Sequence, residues 1–280
     1  MAEDNTIKRL GPLYAEHLLL GASFEDGTRV LRYESESLDA PSLMNATYLC
    51  DLTYARLTLL SGQDSPALAQ AAFAGRKLEV GECRYEPALT GDGGIASIPL
   101  LARTGQNEYV MLDTSPRAEV LHAWLAFLSS ISQDGYEPYA HADVQDVSAS
   151  HVLLLLGGKD ATVVLLDYVG DQPLPGKGCV ASCRLDRIPA IVLRLPTASQ
   201  PCYLIMAPPH TAVALWRSFL SFTEVIPVGN ATINKLLASE FPWMDYLTST
   251  DAVRLSSKAL MGHDLLRKDQ DYVGARALFG

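Results

Sequence analysis

A glycine-rich turn between two short strand-like runs constrains this chain more than any other stretch. Gly81–Leu100 reads GECRYEPALTGDGGIASIPL, and YVMLDTSPR follows at Tyr109–Arg117. The first run leads into Tyr85, Gly91–Gly94 supply the turn, and a second strand, a short break and a third strand follow. A turn this short leaves the flanking strands antiparallel, so the sheet around it cannot be a purely parallel one.

The rest of the chain places strands in groups and helices singly. Leu13–Leu20 predicts a first helix stopped by Gly21, and Ser65–Gly75 a second, with Pro66 in its first turn. Asp51–Gly62 alternates like a strand, and Ala118–Ser129 carries Val120, Leu121, Trp124, Leu125 and Leu128 at helical spacing. In the second half, Asp146–Gly158 reads as a strand, and Lys159–Gly170 as a helix or a second strand. Val180–Leu185 and Ala190–Leu195 read as a hairpin, and Cys202–Met206 as a strand. Helices are expected over Ala212–Phe222, Ala231–Ser239 and Asp251–Leu260. This order predicts an α+β fold, with a first lobe over residues 1–140 and a second over 141–280.

With 280 residues, nearly half of them hydrophobic, the chain can bury a large core. Its net charge of −10 argues against nucleic acid or an anionic membrane as a partner. The apolar run Val152–Gly158 is far shorter than the ~20 residues a membrane-spanning helix needs, and Met1–Leu10 has no apolar signal region. A cytoplasmic protein is expected. The five cysteines are scattered, and only Cys179 and Cys183 lie close, so neither a disulfide framework nor a metal site is expected. No nucleophile elbow, zinc-protease or dinucleotide motif occurs.

Six blocks in order resemble the glycine cleavage system T protein, the tetrahydrofolate-dependent aminomethyltransferase family. PLYAEHLLLGA at Pro12–Ala22 is similar to that family's opening helix. Asp51–Gln70 is similar to its DxSHM block, and His141–Ala161 to its VxDxS block. Arg194–Trp216 lies on the Arg-Thr-Gly-Tyr stretch and the helix after it, Ile226–Phe241 on the segment ending in Glu-Ala-Gly, and Leu265–Leu278 on its closing DFIGxxAL. The Gly81–Leu100 pair falls where the family carries its catalytic aspartate, but Ser97 and Ile98 stand where two aspartates are usual.

This resemblance implies the folate-binding core of that family, two sheet-and-helix lobes around a central cavity. The C-terminal β-barrel of the family is expected to be absent. It also implies tetrahydrofolate as cofactor, a small one-carbon donor of aminomethyl or methyl groups, and a possible partner subunit. Tyr85 and Glu240 are the expected pterin contacts, with Ser239 at the position that a gapless alignment gives the pterin-binding Glu. Ser97 and Asp113 are expected to line the reacting end, Asp113 standing in for the missing carboxylate. Alternatively, an Asp before Thr-Ser-Pro caps the helix at Ala118. Arg194 is a candidate for the folate tail or for a structural ion pair, and Thr197 replaces the family's Tyr. His17 and Asp51 are expected in structural roles. The sequence leans toward a transferase, with a non-catalytic scaffold or partner-binding subunit as the alternative.

Overall fold

A computed structural model describes residues 11–25, 27–36, 45–197 and 199–280. The amino-terminal stretch read above for a signal region lies outside the described residues. The chain forms two compact units, Met1–Tyr54 with Ala149–Pro242, and Ala55–Ser148 with Trp243–Gly280. Each unit therefore takes chain from both sides of residue 140.

Numbered in chain order, the first unit opens with α1 (Tyr14–Leu19), β1 (Ala22–Glu25), β2 (Arg29–Tyr33) and β3 (Thr47–Asp51). The second unit then takes β4 (Arg56–Ser61), α2 (Ser65–Ala72), β5 (Cys83–Tyr85), β6 (Ala88–Leu89), β7 (Ile95–Ser97), β8 (Leu100–Gly105) and β9 (Glu108–Asp113). It continues with α3 (Ala118–Ser129) and β10 (Asp143–Asp146). The chain returns to the first unit for β11 (Val152–Gly158), α4 (Ala161–Val169), β12 (Cys179–Leu185), β13 (Ile188–Arg194) and β14 (Cys202–Ala207). There it adds α5 (Ala212–Leu220), β15 (Val225–Pro227) and α6 (Asn230–Glu240). Finally α7 (Ser257–Gly262) and α8 (Ala275–Phe279) complete the second unit.

The first unit is built on a six-stranded sheet in the order β12-β13-β14-β11-β3-β15, antiparallel except where β15 runs parallel to β3. All seven residues of β11 are buried, as the leucine run demands of a central strand covered on both faces. Trp216, Phe219 and Leu215 of α5 and Val164 and Leu165 of α4 close over this sheet. Glu36 holds the start of α6: its carboxylate accepts the Gly229 N–H at 3.0 Å and the Thr232 hydroxyl. An acid at a helix N-terminus satisfies orphan N–H groups and suits the helix dipole.

The second unit carries a five-stranded sheet in the order β10-β4-β9-β8-β5 and the two-stranded β6–β7 hairpin. Its core gathers Leu121, Leu125 and Leu128 of α3 with Leu68 and Ala72 of α2 and Leu101 and Met111 of the sheet. Arg117 is buried at 4 % exposure yet fully engaged. Its guanidinium donates to the carbonyls of Ile95 and Ala96 at 2.8 Å, Thr250 at 3.0 Å, and Asp251. One side chain thus fixes β7 to the 250–251 loop of the same unit.

Three expectations change. Asp51–Gly62 is not one strand, because Asp51 Oδ1 accepts the Thr53 N–H at 2.8 Å and the Thr53 hydroxyl, folding an Asx turn between β3 and β4. Asp146–Gly158 is shortened in the same way: Asp146 Oδ1 takes the Ser148 N–H at 3.0 Å and its hydroxyl at 2.6 Å, so Asp146 ends β10 and the expected strand starts only at Val152, as β11. The helix expected over Asp251–Leu260 begins only at Ser257, where Ser256 caps it through the Ala259 N–H at 3.2 Å. Upstream, the Ile95 N–H donates to Val253 O at 2.8 Å, which holds that stretch extended. Lys159–Gly170, open between helix and strand, is helical as α4.

Candidate functional site

In the second unit, Thr90 N–H donates to Gly94 O at 2.8 Å and Gly93 takes φ +78°, so the β6–β7 turn closes on the predicted glycines. That hairpin delivers Ser97 at the end of β7, with no exposed surface. Asp113 ends β9 at 4 % exposure. Ser115 joins the two: its hydroxyl lies 3.3 Å from Ser97 Oγ and donates to Asp113 Oδ1 at 2.7 Å, while its N–H reaches the same oxygen at 2.9 Å.

Asp113 Oδ2 is buried and has no partner. Burial raises the Asp113 carboxyl above its ordinary range, overcoming the Ser115 hydrogen bonds, the nearby Ser97 hydroxyl and the Arg117 charge, all of which favour ionisation. The expected pair Ser97 and Asp113 therefore does come together, through a serine that the sequence reading missed. Asp113 does not cap α3; that helix opens at Arg117 without a side-chain cap, and Asp113 closes an Asx turn on Ser115 instead.

Tyr85 ends β5, its ring centroid 6.1 Å from that of Trp243 in an edge-on arrangement, and Trp243 lies 5.6 Å from His263. The next residue, Glu86, is 1 % exposed and was not singled out from the sequence. Arg84 Nε is 3.0 Å from its Oε1, yet neither carboxylate oxygen has a hydrogen bond. Its Oε2 faces Gly75, where any Cβ would overlap it. Burial pushes the Glu86 carboxyl up to about 8, against the opposing charges of Arg84, Arg76 and Arg267. We take burial as the stronger effect, because the Arg84 contact lacks the alignment of a hydrogen-bonded pair.

The remaining expected residues lie in the first unit. Arg194 ends β13, with its guanidinium carbon 5.7 Å from the centre of the Tyr203 ring. Thr197 Oγ1 donates to Gln200 O at 2.8 Å and closes the turn before β14. Glu240, at the end of α6, accepts the Ser199 N–H at 3.1 Å, whereas Ser239 Oγ turns back onto Leu236 O of its own helix at 2.6 Å. Glu240, not Ser239, is thus the member of that pair directed at the Thr197–Gln200 turn. Thr197, Gln200 and Glu240 line a space of about 10 Å³ with Tyr48 and Cys202, room for one water molecule. Burial pushes the Cys202 thiol up to about 12, which leaves it unreactive.

His17 fills the structural role expected of it. Its ring nitrogens lie 2.9 Å from Asp51 Oδ2 and 2.9 Å from the Tyr33 hydroxyl, and its ring meets Trp216 edge-on at 4.9 Å. Among the described residues, no group of three or more His, Cys, Asp or Glu side chains could hold a metal ion. Nor is any described helix long and apolar enough to cross a membrane.

A family model described as the GCVT N-terminal domain matches residues 22–242. An aminomethyltransferase of Cutibacterium acnes is 26 % identical over 98 % of this chain and 76 % of its own length. One from Streptomyces coelicolor is 26 % identical over 98 % of this chain and 74 % of its own. The crystal structure of glycine cleavage system aminomethyltransferase T from Bartonella henselae superposes with a TM-score of 0.78. It is 21 % identical and covers 95 % of this chain and 73 % of that one, so it shares the fold. The match of the family model over most of the sequence, on an α+β fold of the same kind, places this chain in the GCVT N-terminal domain family.

Proposed function

We propose that the chain is a tetrahydrofolate-binding, one-carbon transferase-like protein of the cytoplasm, in which Asp113 takes the part left vacant at Ser97. One observation carries this reading: a carboxylate is buried at the end of β9 with one oxygen hydrogen-bonded and the other without a partner. Orphaned buried acceptors are rare, because each costs about 1–3 kcal/mol. Tetrahydrofolate, when bound, supplies the secondary amine that accepts an aminomethyl or methyl group.

An acceptor-only oxygen such as Asp113 Oδ2 fits such an amine. Burial raises the affinity of Asp113 for protons, which suits a group that accepts one. Ser115 holds the carboxylate in place through Oδ1, and Ser97 adds a neutral hydroxyl behind it. Tyr85 is proposed as a ring contact, Arg194 as a candidate for the anionic tail, and Thr197 and Glu240 as polar contacts. The donor is proposed to be a small one-carbon carrier.

Isothermal titration with tetrahydrofolate under anaerobic conditions tests the reading. Saturable one-to-one binding is expected, retained in shape but weakened in Asp113→Asn and Tyr85→Ala. Transfer in Asp113→Asn should fall by roughly 10²–10⁴-fold, the usual contribution of a positioned acid–base group. Absence of heat and of thermal stabilisation would sink it. The outcome would then favour a non-catalytic scaffold, a reading consistent with the water-sized space around Thr197 and Glu240.

A further inference from the structure

Away from Asp113, the second unit holds a cavity of about 110 Å³ into which four cationic side chains converge: Arg76, Lys77, Arg103 and Arg267. No carboxylate lines it. That is an uneven distribution for a chain of net charge −10 with 22 basic residues. Tyr109 lines the cavity from the opposite end of β9 to Asp113; four steps along the strand separate them by about 13 Å. The cavity is therefore distinct from the Asp113 cluster.

Its cations differ in what they have left to offer. Arg267 is fully engaged: Nε donates to Asp269 at 2.7 Å, and the terminal nitrogens reach the carbonyls of Gln70 at 2.7 Å, Gly75 at 3.2 Å, Phe73 and Asp271. It supplies fixed charge and no donor. Arg103 is held by the Leu78 and Gln106 carbonyls, both at 2.9 Å, and its guanidinium carbon lies 5.4 Å from the centre of the Tyr109 ring. Its Nε–H is buried and has no partner. Arg76 and Lys77 are half exposed, Arg76 3.0 Å from Glu82 and Lys77 4.0 Å from Asp269. Such exposed pairs contribute ~0–1 kcal/mol, so a better-placed anion can displace them.

We propose that this cavity is a binding site for a small organic anion, a carboxylate or phosphate group on a compact body. Arg103 Nε and the half-exposed ends of Arg76 and Lys77 donate to the anionic group, and Arg267 adds charge. Phe73 and the face of Tyr109 receive the apolar part. A preset guanidinium with an unpartnered N–H loses little freedom on binding, which favours a charge-assisted hydrogen bond there. The floor is apolar and the donors sit together, as in small-molecule sites generally.

The test titrates the full chain at low ionic strength with inorganic phosphate and, separately, with benzoate, using chloride as the control for ionic strength. Saturable one-to-one binding of at least one probe is expected, with the preferred probe naming the headgroup. Arg76→Gln and Lys77→Gln should each weaken it about tenfold, since each removes a charge-assisted bond. Lys159→Gln, a half-exposed lysine of the first unit, should leave it unchanged. Binding of neither probe would overturn the proposal, as would binding indifferent to Arg76 and Lys77. Arg103→Lys keeps the charge but loses the planar fork, so unaltered affinity in a folded Arg103→Lys variant would also count against it.

Discussion

The two units treat their sequestered carboxylates in opposite ways. In the first, Asp51 is hydrogen-bonded to His17 and to Thr53, and Glu36 holds the N–H groups of Tyr33 and Gly229 and the Thr232 hydroxyl. In the second, Glu86 has no hydrogen bond on either oxygen and Asp113 has one oxygen without a partner. Partnered acids hold loops and helix ends in one arrangement. Acids deprived of partners respond instead to protons and to whatever polar group can reach them. The contrast concerns these carboxylates alone: Asp51 and Glu36 serve the fold through hydrogen bonds, whereas Glu86 and Asp113 keep buried oxygens without one.

The largest expected effect is on the pH dependence of stability. The fold raises the Glu86 carboxyl from an ordinary 4.5 to about 8, so the folded state favours its protonated form. The stability it contributes is fully present below pH 4.5 and is lost as pH rises to about 8. The slope is about 1.4 kcal/mol per pH unit, on the order of 5 kcal/mol in all. Asp113, raised by burial, acts with the same sign. Urea unfolding at a series of pH values should show this fall, and Glu86→Gln should abolish most of it. A variant with the wild-type slope would break the contrast.

Next comes Gly75→Ala, which drives a methyl group into the Glu86 carboxyl. A loss of about 3 kcal/mol is expected, against near neutrality for Gly91→Ala, where nothing lies within 4 Å. In the double variant Gly75→Ala/Glu86→Ala the loss should shrink, which a double-mutant cycle reads directly. In the first unit, Asn230→Ala removes the donor that serves Val30 O at 2.9 Å and Asp51 O at 3.2 Å, with an expected cost of about 2 kcal/mol. Asn230 carries no titratable group, so this loss should be the same at every pH, and a strong pH dependence would blur the contrast. The smallest effect is that of Ser115→Ala, about 1 kcal/mol in stability. Losing the hydroxyl should raise the Asp113 titration further, visible in carboxyl NMR shifts.

Much of the fold was legible because its signals are local. The bounds of α3 follow from leucines spaced three and four apart, and β12–β13 from two β-rich runs around a short turn. Two of the three exceptions share a cause. Asp51-Leu52-Thr53 and Asp146-Val147-Ser148 each fold an Asx turn within a run that reads as one strand, and both turns stand where the chain passes between units. A third such triplet, Asp113-Thr114-Ser115, sits at the candidate reacting end. The Asp-x-Ser/Thr spacing was therefore the unread signal.

Of the candidates legible in the sequence, Ser97 and Asp113 lie together about Ser115 in the second unit, and Glu240 lies in the first. Glu86 was not legible, because burial of an acid depends on which glycine lies opposite, and Gly75 is eleven residues away in sequence. Arg117 and Arg103 escaped notice for the same reason: their partners are main-chain carbonyls, which every residue has.

The interleaved path of the chain has a consequence for how the protein comes into being. On a ribosome, residues 55–148 emerge long before residues 243–280, yet Arg117 and the end of α2 find their partners in that later stretch. The loop to be closed is on the order of a hundred residues, and such long-range closure slows folding. Until then Arg117 Nη1 and the carbonyls at Gln70, Phe73 and Gly75 lack the partners that residues 243–280 bring. The nascent second unit is thus a client for chaperones, and a stalled chain ending near residue 242 should be cut by protease between residues 55 and 148.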